Sequence, residues 1–245
     1  MKGFIEMAKE KVLLKENCKS TSELHKNHRA RMREKVLKNG AETFHDHELL
    51  EMLLFACESR RNTNDTAHEL LEKFGSLRGV LTANADSLRC VQNVKDAATS
   101  HILVVREILK RVNNESISLP SSFKNYDELG NYFVEKFKLV AVEELYLVLF
   151  DNGMRMLECV KISEGTVNST PENMRKLMKI VAESEASSAV IAHNHPGGKL
   201  IASPEDAITT RTISTMLGMV GVKLADHILV AEDKYTSIMY PEFGL

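Results

Sequence analysis

The stretch from His193 to Asp206 constrains this chain more than any other. It is preceded by Ser188-Ala189-Val190-Ile191-Ala192, a short apolar and β-branched run that predicts a buried strand. Pro196-Gly197-Gly198 then forces a turn. Ser203 supplies an N-cap, Pro204 suits the first helical position, and an acid follows three residues after the serine, so a helix is predicted from there. Two histidines at i and i+2, His193 and His195, leave the strand end on the same side of the chain, because side chains alternate along an extended backbone. The loop returns the chain so that Asp206, in the first helical turn, can face them. Two imidazoles and one carboxylate at a strand–loop–helix junction suit a catalytic zinc ion, whose fourth tetrahedral position is left for water.

Taken singly, these features have plainer explanations. Ser203 to Asp206 is a passable capping box that needs no metal, and an isolated His-x-His pair is weak because histidine is often partly buried. Together they spell H-x-H-P-x6-S-x-x-D, an order that chance rarely assembles. This pattern resembles the JAMM motif of MPN/JAB-domain metallopeptidases, and HNHPGG…SPED is most similar to the RadC branch of that family. RadC-like proteins usually carry serine where Gly197 stands, a departure outside the ligand set. The resemblance implies a Zn2+-dependent hydrolase of peptide or isopeptide bonds, with His193, His195 and Asp206 as metal ligands. A zinc deaminase is excluded, since it needs H-x-E with a distant P-C-x-x-C. The letters HNH do not make a nuclease, whose motif residues are separated along a ββα element.

The composition fits a soluble protein with real cores: 245 residues, 43% of them hydrophobic, allow one large or two small domains. A formal net charge of −2 offers no chain-wide electrostatic argument for nucleic acid. Cys18, Cys57, Cys90 and Cys159 are dispersed without C-x-x-C spacing, so reduced structural thiols in a cytoplasmic protein are expected, none of them a zinc ligand. Met1 to Cys18 lacks the continuous apolar core of a signal peptide. No segment approaches the ~20 apolar residues that span a bilayer, so no membrane partner is expected.

The N-terminal part reads as all helical. The first segment, to about Ser22, suits a frayed amphipathic helix without assigned function. His28 to Lys35 is the densest basic run; helical spacing puts Arg29 and Arg33 on one face and Met32 and Val36 nearer a core. Glu48–Phe55 is a strongly apolar helix, Ala67–Phe74 another stopped by Gly75. Ala85–Cys90, a tight connection at Val91–Lys95 and a long helix over Asp96–Arg111 follow. "NHRARMREK", "HELLEMLLF" and "LLEKFGSL" resemble the RadC N-terminal domain, in which the last helix pair is similar to a helix-hairpin-helix with a G-h-G turn. Here that turn is Asn93-Val94-Lys95, without either glycine. Asn93 tolerates a left-handed backbone, whereas Lys95 offers only a point charge. The expectation is a degenerate hairpin kept for packing, with at most weak DNA contact through this domain.

The polar stretch between Asn113 and Asn125 has the composition of a linker and marks the predicted boundary: a helical domain over 1–115 and a mixed α/β JAB/MPN-like domain over 123–245. After it, Asn125 caps a helix whose Leu129, Tyr132, Phe133 and Phe137 recur at core spacing. A hairpin follows: strand Leu145–Phe150, turn Asp151-Asn152-Gly153, strand Met154–Ile162. Glu164–Asn168 reads as a loop, Thr170 opens a helix to about Ser184, and strand 188–192 leads into the metal loop and a helix to about Gly218. Val222–Val230 and an edge segment at Tyr235–Met239 complete a central sheet flanked by helices. "EGTVNST" and "LADHILV" are secondary RadC-like matches. Asp226 and His227 allow either a shell behind the metal ligands or a mutually satisfied Asp–His pair; the latter is adopted here, and both stay outside the catalytic set.

Hydrolysis also needs a general base, since Asp206 is committed to the metal. In JAMM proteins a glutamate before the first strand takes this role, and the RadC spacing of eight residues before the turn aspartate selects Glu143 over Glu144. The two would point to opposite faces of an extended chain, one of them merely a solvated charge at the strand start. The resemblance further implies that the Ser203 hydroxyl donates to a developing oxyanion. The substrate, an unknown protein or peptide, is not named by any residue.

Overall fold

The computed structural model describes residues 27–240 apart from 60, 118–119, 121, 124 and 166–169. The expected helix before Ser22 and most of the loop after Glu164 lie outside those residues. Two compact units are present, Met1–Leu103 and Val104–Leu245. The division falls inside a helix, earlier than the polar stretch read as a linker.

In the first unit, α1 (residues 27–39), α2 (Asp46–Leu54), α3 (Asn64–Phe74), α4 (Leu77–Thr82), α5 (Ala85–Arg89) and the start of α6 (Asp96–Ser116) enclose an aliphatic core. Leu50, Leu54, Ala67, Leu70, Val80, Leu88 and Ile102 fill it, while Met32, Phe44 and Phe55 form a smaller cluster that Val36 packs against. Gly75 stops α3 in the left-handed conformation, φ 78°, donating to the Leu71 carbonyl. The short α4 carried no sequence signal strong enough to be predicted; Ser76 caps it by accepting from the Gly79 N–H. Asn93 is left-handed, φ 66°, so an asparagine closes the hairpin turn where a glycine was missing.

The second unit is a five-stranded mixed sheet in the order β2-β1-β3-β4-β5. The strands are β1 (Glu144–Phe150), β2 (Met156–Glu164), β3 (Ser188–Asn194), β4 (Lys223–Ala231) and β5 (Lys234–Ser237). β1 runs antiparallel to β2 and β3, β3 and β4 are parallel, and β5 returns antiparallel on the edge. Asp151 makes the first hairpin by accepting from the Gly153 and Arg155 N–H groups. A parallel pair needs a crossover, and α9 (Pro204–Met219) provides it between β3 and β4.

Strand alternation sorts the core into two layers. Leu145, Leu147, Leu149, Ala189 and Ile191 face α8 (Pro171–Ala182) and α9, meeting Leu177, Val181, Ile213 and Leu217. Val148, Phe150, Val190, Ala192, Ile228 and Val230 face α7 (Tyr126–Phe137) with its Leu129, Phe133 and Phe137. The aromatic residues of α7 are therefore core, and Phe133 is wholly buried, a side chain worth about 1.5–3 kcal/mol by area removed from water. α6 continues to Ser116, beyond the Arg111 end expected from sequence; Asn113 is held there by donating through Nδ2 to the Glu135 carbonyl. Among the described residues no helix is long and apolar enough to cross a membrane.

Candidate metal centre

The carboxyl end of β3, the loop after it and the first turn of α9 build one site. His193 is paired across the sheet with Leu145 and Leu229, which places it on the α8/α9 side. The strand ladder continues one residue past β3, because the His195 N–H donates to the Val230 carbonyl at 2.8 Å. That extension keeps His195 on the same side as His193. The chain then turns through Pro196-Gly197-Gly198. Gly197 is left-handed, φ 63°, which glycine adopts with least strain, and a Cβ on Gly198 would sit 3.0 Å from the His195 Cβ, a tight contact that the absent side chain avoids.

Ser203 opens α9 with a reciprocal cap: its Oγ accepts from the Asp206 N–H at 3.1 Å, and its own N–H donates to Asp206 Oδ2 at 2.7 Å. Both oxygens of the same carboxylate also face the histidines, Oδ1 toward His193 and Oδ2 toward His195, so one aspartate caps the helix and lines the candidate site. The capping bond uses Ser203 Oγ as an acceptor, and the hydroxyl retains its own proton to donate.

His193 Nε2 lies 3.2 Å from His195 Nε2 and 3.2 Å from Asp206 Oδ1, and His195 Nε2 lies 3.3 Å from Asp206 Oδ2. Among the described residues, this trio alone groups at least three such side chains with ligand atoms within 4.8 Å of one another. Zinc bonds of about 2.0–2.1 Å to nitrogen and oxygen set tetrahedral ligand–ligand edges of about 3.3 Å, so the spacing and the donor set both fit that ion. His195 donates its Nδ1–H to the Lys199 carbonyl at 3.3 Å, so Nε2 is the ring nitrogen that faces inward.

The electrostatics favour a ligand-ready carboxylate. Burial alone pushes the Asp206 carboxyl up, but its bonds to His193, His195 and the Ser203 N–H outweigh that and hold it far below the usual carboxylate range. The bond to Asp206 raises the His195 imidazole above the ordinary histidine value against its own burial, and the Glu143 charge adds to the rise. The α9 N-terminus further suits a negative group at Asp206.

Glu143 and Glu144 separate as alternation requires. Leu145 faces the metal side, and Glu143, two residues earlier, shares that parity; its charge acts on His195. Glu144 is not the solvated charge expected of the other glutamate. It is buried, and accepts from Lys110 Nζ at 3.1 Å and Lys161 Nζ at 3.4 Å. Burying a charged strand residue is tolerated because two ammonium groups neutralise it. Asn194 pins this segment to β3: its Oδ1 accepts from the Glu144 N–H and its Nδ2 donates to the Val142 carbonyl. Because Asn194 is 3% exposed, Asn194→Ala is expected to lower the unfolding free energy by about 1–3 kcal/mol in urea titrations, through the stranded backbone groups.

The expected Asp226–His227 side-chain pair is absent. Asp226 accepts from Ser237 Oγ and from the His227 backbone N–H, each at 2.6 Å. The His227 ring lies on the opposite face, against His193: His193 Nδ1 is 2.7 Å from His227 Nε2, and His227 Nδ1 is 2.6 Å from Thr210 Oγ1. Burial pushes the His227 imidazole well below the ordinary histidine value. Thr210 gave no sign in the sequence; one helical turn after Asp206 was the only available hint. Of the cysteines, Cys57, Cys90 and Cys159 are free thiols, and none belongs to the trio.

A mixed sheet whose parallel β3–α9–β4 unit carries His-x-His at the strand end and aspartate in the helix defines a JAB-type domain. Residues 123–243 match the family described as the RadC-like JAB domain, and residues 23–100 match the UPF0758 N-terminal family. A UPF0758 protein of Cupriavidus taiwanensis is 32% identical over 210 residues, 85% of this chain and 91% of the relative. One from Neisseria gonorrhoeae is 31% identical over 215 residues, 88% and 95% of the two chains, and one from Desulforudis audaxviator 28% over 208 residues, 85% and 90%. The chain belongs to the UPF0758 family, with a RadC-like JAB domain as its C-terminal part.

Proposed function

We propose that this protein is a zinc-dependent hydrolase of amide bonds, peptide or isopeptide, acting on a protein or peptide substrate. The single observation that carries the reading is the convergence of two imidazole nitrogens on one carboxylate, His193 3.2 Å from Oδ1, His195 3.3 Å from Oδ2 and the two nitrogens 3.2 Å apart, with the Glu143 charge acting on His195. His193, His195 and Asp206 would hold the ion. When bound there, zinc supplies Lewis acidity that makes hydroxide available near neutral pH and polarises a carbonyl.

The chain's own residues account for the remaining requirements. Glu143 accepts the proton of the attacking water and returns it to the leaving amine, the work of a positioned acid–base group. The Ser203 hydroxyl donates its free proton to the oxygen on which negative charge develops. Asp206 stays ionised throughout, as its hydrogen bonds demand. Metal analysis of the purified protein, combined with an unbiased peptide-cleavage screen, tests the reading. About one zinc per chain and cleavage abolished by chelation are expected; cleavage that survives complete metal removal contradicts it.

The alternative is a non-enzymatic DNA-associated or protein-interaction module whose metal site is structural or vestigial, and the left-handed Asn93 turn is the observation that favours its DNA-associated form. The cations around it are sparse. Arg29 is drawn into the fold, over the Phe55 ring at 4.8 Å and donating to the Arg61 carbonyl at 2.6 Å, and Arg61 donates to the Asn93 side chain. Arg31, Arg33 and Lys95 are exposed. Neutralising so few phosphates gives weak, steeply salt-dependent binding. Gel-shift titration is expected to show no retained complex at physiological salt, and a tight sequence-selective complex there would promote the alternative.

A further inference from the structure

Three short contacts behind the metal site can be read by counting protons. Thr210 Oγ1 is 2.6 Å from the Asp206 main-chain carbonyl and 2.6 Å from His227 Nδ1, and His227 Nε2 is 2.7 Å from His193 Nδ1. The carbonyl can only accept, so the single hydroxyl proton of Thr210 belongs in that contact. Thr210 therefore meets His227 with a lone pair, and His227 must carry its proton on Nδ1. His227 is wholly buried between a hydroxyl and an imidazole, with no carboxylate bonded to its ring, and a neutral imidazole has one proton to place. Its Nε2 is then an acceptor, and His193 must donate from Nδ1. The reverse chain, with every proton shifted toward the metal side, leaves two oxygens 2.6 Å apart with no hydrogen between them.

We infer that Thr210 and His227 are positioning residues that lock His193 in the Nδ1–H tautomer, so that its Nε2 presents a lone pair to the metal. This rests on the His193–His195–Asp206 reading of the site. The relay starts at the main-chain carbonyl of Asp206 itself, so the helical turn that carries one ligand sets the protonation of another. His195 reaches the same tautomer by a local route, through the Lys199 carbonyl. His193, buried in the sheet, has no loop carbonyl to use and takes its acceptor from the adjacent strand.

Thr210→Val keeps the shape of the side chain and removes the oxygen. His227 then loses its Nδ1 acceptor, its proton moves to Nε2, and the His193 proton is driven onto the atom that should bind metal. Loss of such an outer partner typically costs roughly 10–100-fold in metal affinity. The test uses the full chain. Long-range imidazole 1H–15N correlation spectra of the metal-free protein, at roughly pH 8 where exposed histidines are neutral, read the His193 tautomer; chelator competition reads zinc affinity. A proton on Nδ1 is expected at His193 in wild type and Thr210→Ser, whether or not Nε2 also carries one toward Asp206, and its loss, with zinc affinity lowered roughly 10–100-fold, in Thr210→Val. His227→Phe should weaken zinc similarly, and Thr210→Val keeps the test decisive if that bulky change prevents folding. An Nε2–H tautomer at His193 in wild type, or wild-type zinc affinity in Thr210→Val, overturns the relay. Nδ1–H at His193 in a wild-type protein that binds no zinc supports the relay's proton order and overturns the metal reading instead.

Discussion

Replacing Glu143 by glutamine is expected to leave zinc content and the unfolding midpoint at wild-type values while amide hydrolysis falls by about 10²–10⁴-fold, the usual contribution of a positioned acid–base group. Glutamine keeps the size and polarity of the side chain but cannot take a proton from water. The backbone that presents it is also untouched, because the Glu143 carbonyl still accepts from the Gly165 N–H and Asn194 still clamps Val142 and Glu144. Glu144→Gln separates the two glutamates. It removes the buried charge between Lys110 and Lys161 on the α7 side of the sheet, so its effect is on stability, about 1–3 kcal/mol, with activity per folded molecule retained. Activity and zinc are measured side by side on substrates found in the cleavage screen. If Glu144→Gln alone abolishes hydrolysis in a folded, zinc-loaded protein, the base has been assigned to the wrong residue; full activity in Glu143→Gln means the base lies elsewhere.

His195→Ala should reduce zinc from about one ion per chain to none after gel filtration, since two protein ligands rarely retain a catalytic zinc against exchange. His195 is the informative ligand to remove. Its side chain is 17% exposed, whereas that of His193 is wholly buried and tied to His227, and Asp206 also caps α9. Loss of metal in His195→Ala can therefore be assigned to coordination and not to collapse of the sheet. Far-ultraviolet circular dichroism should match wild type, and the first unit, whose core of Leu50, Leu54, Leu70 and Ile102 shares nothing with the site, should stay folded. Full zinc occupancy in that variant would remove the trio as the metal site.

Much of this protein was legible before any coordinates, for local reasons. The strand–turn–helix around His193 follows from an apolar β-branched run, a Pro-Gly-Gly turn and a serine cap, each of which acts within a few residues. Two histidines at i and i+2 share a side because backbone alternation demands it, and Gly75 ends α3 because few other residues adopt φ 78° without strain. The same locality explains the aromatic face of α7 and the hairpin turn at Asp151.

What escaped the sequence depended on partners distant along the chain. α6 persists through Asn113 because that side chain finds the Glu135 carbonyl 22 residues later, which local propensity cannot foresee. The resemblance to RadC-like proteins favoured Glu143, but the fate of Glu144 was decided by Lys110 and Lys161, both brought up by folding. Asp226 and His227 look like a pair in sequence, yet adjacent strand residues point to opposite faces; only the parallel register of β3 with β4 set His227 beside His193. The candidate trio of His193, His195 and Asp206 was thus written in short-range pattern. Which nitrogen of His193 carries its proton was decided by tertiary structure alone, because a proton's place on an imidazole is set by its neighbours, here His227, 34 residues away.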